Sequence, residues 1–256
     1  MGRKKYLLIV GIISGIAWIG LSKPEPASGL GQKRNSATER KILASTLRIK
    51  IETWIIYIEG QGYTKLASSG HGTVMDGRYL VTHNHFRVPL VELLDTFDSE
   101  FATVTLYRAG GQQLWQGTLK VADVAVIGSE TLVLEFVDEN GGGLFESLGV
   151  PSAVFTTLSS QPIEEGMEVA QINWDKNTAY VQWTRVESID QKGDTTVMEL
   201  SSCLVPGSSG GGVFVNGVHI ANNWSRSIGC GESASAEIQP YSLAALNTTE
   251  LVATSQ

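Results

Sequence analysis

The sequence predicts an all-β chain built as two packed six-stranded antiparallel β-barrels. Three observations carry that expectation. From Ile51 onward, short runs rich in β-branched and aromatic residues alternate with glycine-bearing turns. No stretch after Leu21 holds a helical period over a dozen residues, apart from weak candidates at "VPLVELLDTF" (88–97) and "SLAALNTTELV" (242–252). The stretch "VDENGGGLFESLGVP" (137–151) then splits the strands into two sets of about six, and sheets that small keep unpaired edges unless they close on themselves.

Taken in order, the first set begins with "IETWIIYIE" turning at "GQG". Next come "GTVM" turning at "DG" into "RYLVTHNHF", and "FATVTLYRA" turning at "GG" into "QQLWQGTLKVADVAVIG". Asp-Gly between apolar runs is a hairpin signal, because both central residues of the favoured turn need positive φ. The glycine triplet around 141–143 reads as a crossover to the second set. That set runs "SAVFTTL", "MEVAQINW", "TAYVQWTRVESI", "TTVMELSS", "GGVFVNGVHIANNW" and "AEIQPY", with turns at "DKN", "KGD" and "NG". The first barrel is placed at about 46–137 and the second at about 150–245.

Ahead of the strands stands "MGRKKYLLIVGIISGIAWIGLSKPEP", basic, then apolar, then broken by prolines. The run from Leu7 to Leu21 spans only ~22 Å as a helix against a hydrocarbon core of ~30 Å, so residues 1–22 read as a signal peptide or a short membrane anchor. Either way the basic flank stays inside and the rest of the chain is sent out of the cytoplasm. Residues 23–45 are polar and rich in breakers, and read as a flexible linker. Contact with a membrane is expected only through the N-terminal segment.

Composition narrows the function. With 19 basic against 26 acidic side chains and a net charge of -7, the chain lacks the electrostatic footprint of a nucleic-acid or anionic-lipid binder. Its two cysteines, Cys203 and Cys230, are an even count in an exported chain and suggest one disulfide.

The stretch "LVPGSSGGGVFVNG" (204–217) carries the chemistry. A phosphate loop needs a lysine and a following helix, whereas this stretch has no lysine and feeds a hairpin across Asn216-Gly217. What fits is a nucleophile on a turn, Gly207-Ser208-Ser209-Gly210-Gly211, whose small neighbours let backbone N–H groups converge on a developing oxyanion. Serine needs a base, and the chain holds four histidines, His71, His83, His85 and His219. A metal at His83-x-His85 lacks an evident third ligand, so none is expected.

"PGSSGGGVFVNG" resembles the nucleophile segment of trypsin-like serine proteases, and "GHGTVMDGRYLVTHNHF" resembles the segment around their general base. The likeness is greatest to HtrA/Deg-type protease domains of bacteria. The resemblance implies a trypsin-like protease domain over 46–256 that acts on a protein or peptide without a cofactor. HtrA/Deg-type members carry an appended peptide-binding domain, and the short stretch after "AEIQPY" departs from them, so a stand-alone domain is expected. The same resemblance implies Ser209 as nucleophile, His85 as base, and the N–H groups of Gly207 and Ser209 as oxyanion hole. Two carboxylates compete for the third place. Asp123 opens "DVAVI", like the family's acid motif. Glu130 opens "ETLVLEF", follows turn-forming Gly128-Ser129, and places Leu132, Leu134 and Phe136 inward, which favours it. The resemblance also puts Cys203 at the floor of the substrate pocket and Asn223, Trp224 and Ser225 along its wall. With no carboxylate among them, a small or apolar side chain is the expected preference. Ser208 stands where digestive members of the family use an acid to capture a newly cut N-terminus, so activation by that route is not expected.

Overall fold

Alternation is the rule the strands obey. On β1 (Thr46–Ile58) Leu47, Ile49 and Ile51 are buried while Arg48 and Lys50 point the other way, the period-2 pattern of a half-buried strand. β2 (Gly62–Met75) pairs antiparallel with β1 from Ile58↔Gly62 to Thr46↔Thr73. Asp76 and Gly77, with φ of 52° and 66°, then make the turn that "DG" predicts and lead into β3 (Tyr79–His83) and a 3-10 turn, Asn84–Phe86. The computed structural model describes residues 36–58, 62–86, 101–120, 123–127, 131–155, 163–175, 177–192, 195–226 and 234–238.

β4 (Phe101–Arg108), β5 (Gln113–Lys120), β6 (Val124–Ile127) and β7 (Thr131–Glu135) complete a first curled sheet in the order β5-β4-β1-β2-β3-β7-β6. Its core includes Leu47, Ile49, Ile51, Val104, Leu106 and the predicted trio Leu132, Leu134 and Phe136. The sheet has seven strands instead of the expected six, because the run read as one strand through "QQLWQGTLKVADVAVIG" divides into β5 and β6. The glycine-rich crossover follows. It contains a single-turn helix, α2 (Leu144–Ser147), whose Leu144 and Phe145 drop into the first core.

The second sheet comprises β8 (Val154–Phe155), β9 (Glu168–Asp175), β10 (Thr178–Lys192), β11 (Thr195–Leu200), β12 (Gly212–Val215), β13 (Val218–Arg226) and β14 (Ala234–Ile238). Its order is β12-β9-β10-β11-β14-β13-β8, and β12 also pairs with β13, which closes six of its strands into a ring. β8 pairs in parallel with the first residues of β13. The "NG" hairpin forms as predicted, with Asn216 and Gly217 at φ of 51° and 82°. Both sheets lie in one unit, Asn35–Gln256.

One expectation changes. The segment read as linker up to residue 45 ends in a helix, α1 (Ser36–Ala44), that belongs to the folded unit. Ile42, 2% exposed, packs with Ala170, Ile172 and Phe214, and Trp183 Nε1–H donates to Glu39 Oε1 at 2.7 Å. The helix buries essentially one large apolar residue, worth about 2 kcal/mol, so its sequence shows no apolar period. The signal or anchor at 1–22, the linker up to residue 35 and the two weak helical candidates lie outside the described residues. Among the described residues no helix is long and apolar enough to cross a membrane.

Candidate functional site

Two tight turns shape the loop between β11 and β12. Ser208 N–H donates to the Val205 carbonyl at 3.1 Å and Gly211 N–H to that of Ser208 at 3.0 Å, with Gly207 and Gly210 at φ of 96° and 76°. Glycine at 210 has a second cause besides φ: a Cβ there would collide with Thr82 Oγ1 and the His71 carbonyl oxygen. The loop is also tied to β13, through Gly210 N–H to the Asn223 carbonyl at 3.0 Å and Asn223 N–H to that of Gly211 at 2.8 Å.

Under the loop lies a neutral polar network. Ser208, fully buried, donates its hydroxyl proton to Asn173 Oδ1 at 2.7 Å. The same oxygen accepts from Val205 N–H at 3.1 Å and Trp174 N–H at 3.0 Å, while Asn173 Nδ2 donates to the Cys203 carbonyl at 2.9 Å and to Gln182 Oε1 at 2.6 Å. Asn223 donates through Nδ2 to the carbonyls of Ile172 (2.7 Å) and Ser208 (3.1 Å), and accepts from Gln171 Nε2 at 2.8 Å. Buried amides satisfied this fully fix a backbone in one arrangement.

That network alters the expected pocket. Asn223 is no wall: it is fully buried and its amide is occupied within the network. Trp224 and Ser225 continue β13, but their side chains lie outside the described residues. Among the described residues Cys203 is a free, half-buried thiol, and Cys230, the other end of the expected bridge, lies outside them. Sequence reasoning missed Gln171 and Asn173. The signal was there: two amides at alternate positions of "VAQINW", a β9 stretch whose other side chains are all buried.

The first sheet delivers the histidine. His85 sits in the 3-10 turn after β3, and its Nδ1 lies 3.1 Å from Ser209 Oγ. The two sheets meet closely here. His71 N–H donates to the Ser209 carbonyl at 2.8 Å, Thr82 Oγ1–H donates to the His71 carbonyl at 2.6 Å, and a Cβ on Gly70 would come within 2.6 Å of the Ser209 carbonyl oxygen and 2.9 Å of His85 Cε1. Burial lowers the His85 pKa to about 4, opposed by the Ser69 carbonyl beside the ring. Nε2 has no hydrogen-bond partner among the described residues. His83 stacks on His85 with ring centres 5.8 Å apart, and its Nδ1 accepts the His85 backbone N–H at 3.3 Å.

Register separates the two candidate acids. Ile127 pairs with Thr131, which pairs with His83, whereas Val124 pairs with Leu134, which pairs with Leu80. Asp123 therefore lies beyond the far end of β6, four residues from the His83 rung or ~13 Å along the strand. Its carboxylate accepts Lys120 N–H at 3.0 Å. The structure does not bring Asp123 to His85. Glu130 directly precedes Thr131, the partner of His83, and lies outside the described residues. Gly207 and Ser209 stand in the loop, and among the described residues neither backbone N–H has an acceptor.

The buried histidines make stability depend on pH. Burial lowers His71 to about 4, His83 to about 3 and His85 to about 4, against an unfolded value of 6.5. Between those values the unfolded chain binds more protons than the folded one, so the stability they contribute is present above pH 6.5 and is lost as pH falls toward 4. Each contributes a slope of up to about 1.36 kcal/mol per pH unit. Urea midpoints measured from pH 6.5 to 5, above most carboxylate titrations, should fall steeply. A flat profile would contradict the neutral, buried state of these rings.

The arrangement of two curled sheets is compatible with a trypsin-like fold. In comparisons with known proteins, no family model and no curated protein sequence matches the chain.

Proposed function

We propose that this chain is a trypsin-like serine endopeptidase acting outside the cytoplasm on protein or peptide substrates. One observation carries the reading: Ser209 Oγ and His85 Nδ1, supplied by different sheets, stand 3.1 Å apart. His85, neutral with its proton on Nε2, takes the Ser209 proton through Nδ1 as Oγ attacks the peptide carbonyl. The oxygen of the tetrahedral intermediate is received by the N–H groups of Gly207 and Ser209, and the imidazolium then protonates the leaving amine. Water, deprotonated by the same nitrogen, releases the acyl group and regenerates the serine. Because Nδ1 faces the serine, the orienting carboxylate must reach Nε2, and we assign that part to Glu130. The buried amides around Ser208 support a turn that needs no proteolytic activation.

A second reading, a binding module that keeps the fold without cleaving, follows if no carboxylate orients the His85 ring. A fluorophosphonate probe separates the two. The expected result is covalent labelling that Ser209→Ala abolishes. Folded wild-type protein without Ser209-dependent labelling would establish the binding module instead.

A further inference from the structure

One side chain holds the Ser209 turn from the first sheet and has no part in the proton transfers above. His71, on β2, is fully buried, and its Nδ1 lies 2.8 Å from the Gly207 carbonyl oxygen. A carbonyl only accepts, so Nδ1 carries the proton and Nε2 is the bare nitrogen, which has no partner among the described residues. Burial, the largest influence, holds the ring's pKa down to about 4, so it is neutral at pH 7; the Gly207 carbonyl works against that shift and the Arg48 charge with it. The ring packs 5.0 Å from Trp174, which takes the Arg48 guanidinium 4.6 Å from its own ring centre. Trp174 also lies against the turn, its Cδ1 3.2 Å from where a Cβ on Gly207 would stand.

The peptide joining Gly207 to Ser208 is thus held on both sides, its carbonyl by His71 and its N–H by Val205 at 3.1 Å. The two N–H groups assigned to the oxyanion hole flank this peptide, that of Gly207 just before it and that of Ser209 just after. A peptide held only through its N–H can swing about that bond, and each swing re-aims a neighbour. We propose that His71 is a positioning residue of the oxyanion hole: its Nδ1–H fixes the Gly207 carbonyl and so keeps the Gly207 and Ser209 N–H groups aimed at one point. The role deepens the hydrolase reading and rests on it.

The test uses the full chain with two substitutions. His71→Leu removes the donor, and His71→Asn returns an amide N–H close to the Nδ1 position. His71→Leu is expected to lower kcat by about 10²-fold with KM within about threefold, since an oxyanion donor acts mainly in the transition state. His71→Asn should restore kcat to within about fivefold of wild type, which lost packing alone would not predict. A His71→Leu enzyme with wild-type kcat, or a His71→Asn enzyme as slow as the leucine variant, overturns the proposal. If neither variant folds, nitrogen NMR of the wild-type chain decides at pH 7: a neutral, Nδ1-protonated His71 ring is expected, and an Nε2-protonated or charged ring overturns the role. Labelling keeps the two readings apart. Wild-type protein labelled at Ser209 alongside an unimpaired His71→Leu removes only the positioning role, whereas wild type without Ser209-dependent labelling removes the hydrolase itself and this role in it.

Discussion

Replacing His85 with alanine is expected to slow turnover by about 10⁴-fold or more while leaving KM close to that of the native chain. The ring nitrogen that the substitution removes lies 3.1 Å from Ser209 Oγ. His83, the other ring at hand, turns its Nδ1 to the His85 backbone N–H, so it cannot take over the serine's proton. Residual activity should come from the N–H donors and substrate binding alone, which accelerate reaction even without a base. On the proposed reading the native chain carries a second signature of the same residue. With its pKa near 4, His85 stays a competent base well below neutrality, so kcat/KM should fall on the acid side near pH 4 and not near 6.5. Because the fold loses stability in that range, the limb is best read from labelling rates within seconds of a pH jump. A loss smaller than tenfold in His85→Ala would remove the residue from the reaction.

Replacing Gly210 with alanine should destabilise the fold by more than about 4 kcal/mol, enough to unfold many domains outright. Strain at φ of 76° is the lesser part, worth about 1 kcal/mol. The greater part is what the methyl group meets: Thr82 Oγ1 and the His71 carbonyl oxygen, which are hydrogen-bonded to each other at 2.6 Å in a buried seam between the sheets. Neither atom is the free end of a flexible chain. Moving them apart breaks that bond and strands two buried polar groups. Gly141 is the matched control, with φ of 80° and open space around its Cα, so Gly141→Ala should lose only the strain. Urea unfolding of the two variants checks the comparison. Equal losses would show that the contact at Gly210 yields.

What the sequence made legible was local. The "DG" and "NG" hairpins were readable because positive φ at two adjacent residues is a demand on those residues alone, and Asp76-Gly77 and Asn216-Gly217 meet it. Ser209 and His85 were readable as candidates for a similar reason, since each sits in its own short pattern of small or apolar neighbours. Whatever depended on distant chain meeting distant chain was not. Asp123 and Glu130 both open plausible strands, and only the pairing of β6 and β7 shows which end of each faces His83. Asn223 resembles a pocket residue until its amide is found among Gln171, Ile172 and Ser208. Helix α1 was hidden for the opposite reason: one buried isoleucine suffices to seat it, and a single residue has no period.

The ring of the second sheet has a consequence in time. β12 follows the serine within three residues and is the strand that closes the ring, pairing with β9 on one side and β13 on the other. β9 precedes it by some forty positions, and such non-local pairings form late because the intervening loop must be ordered first. The Ser209 hydroxyl is therefore expected to meet His85 late in folding, once this non-local closure has formed. On the proposed reading, a chain still emerging during synthesis, or one stalled partway to the native state, is expected to be inert toward a fluorophosphonate probe, so that labelling reports completed folding.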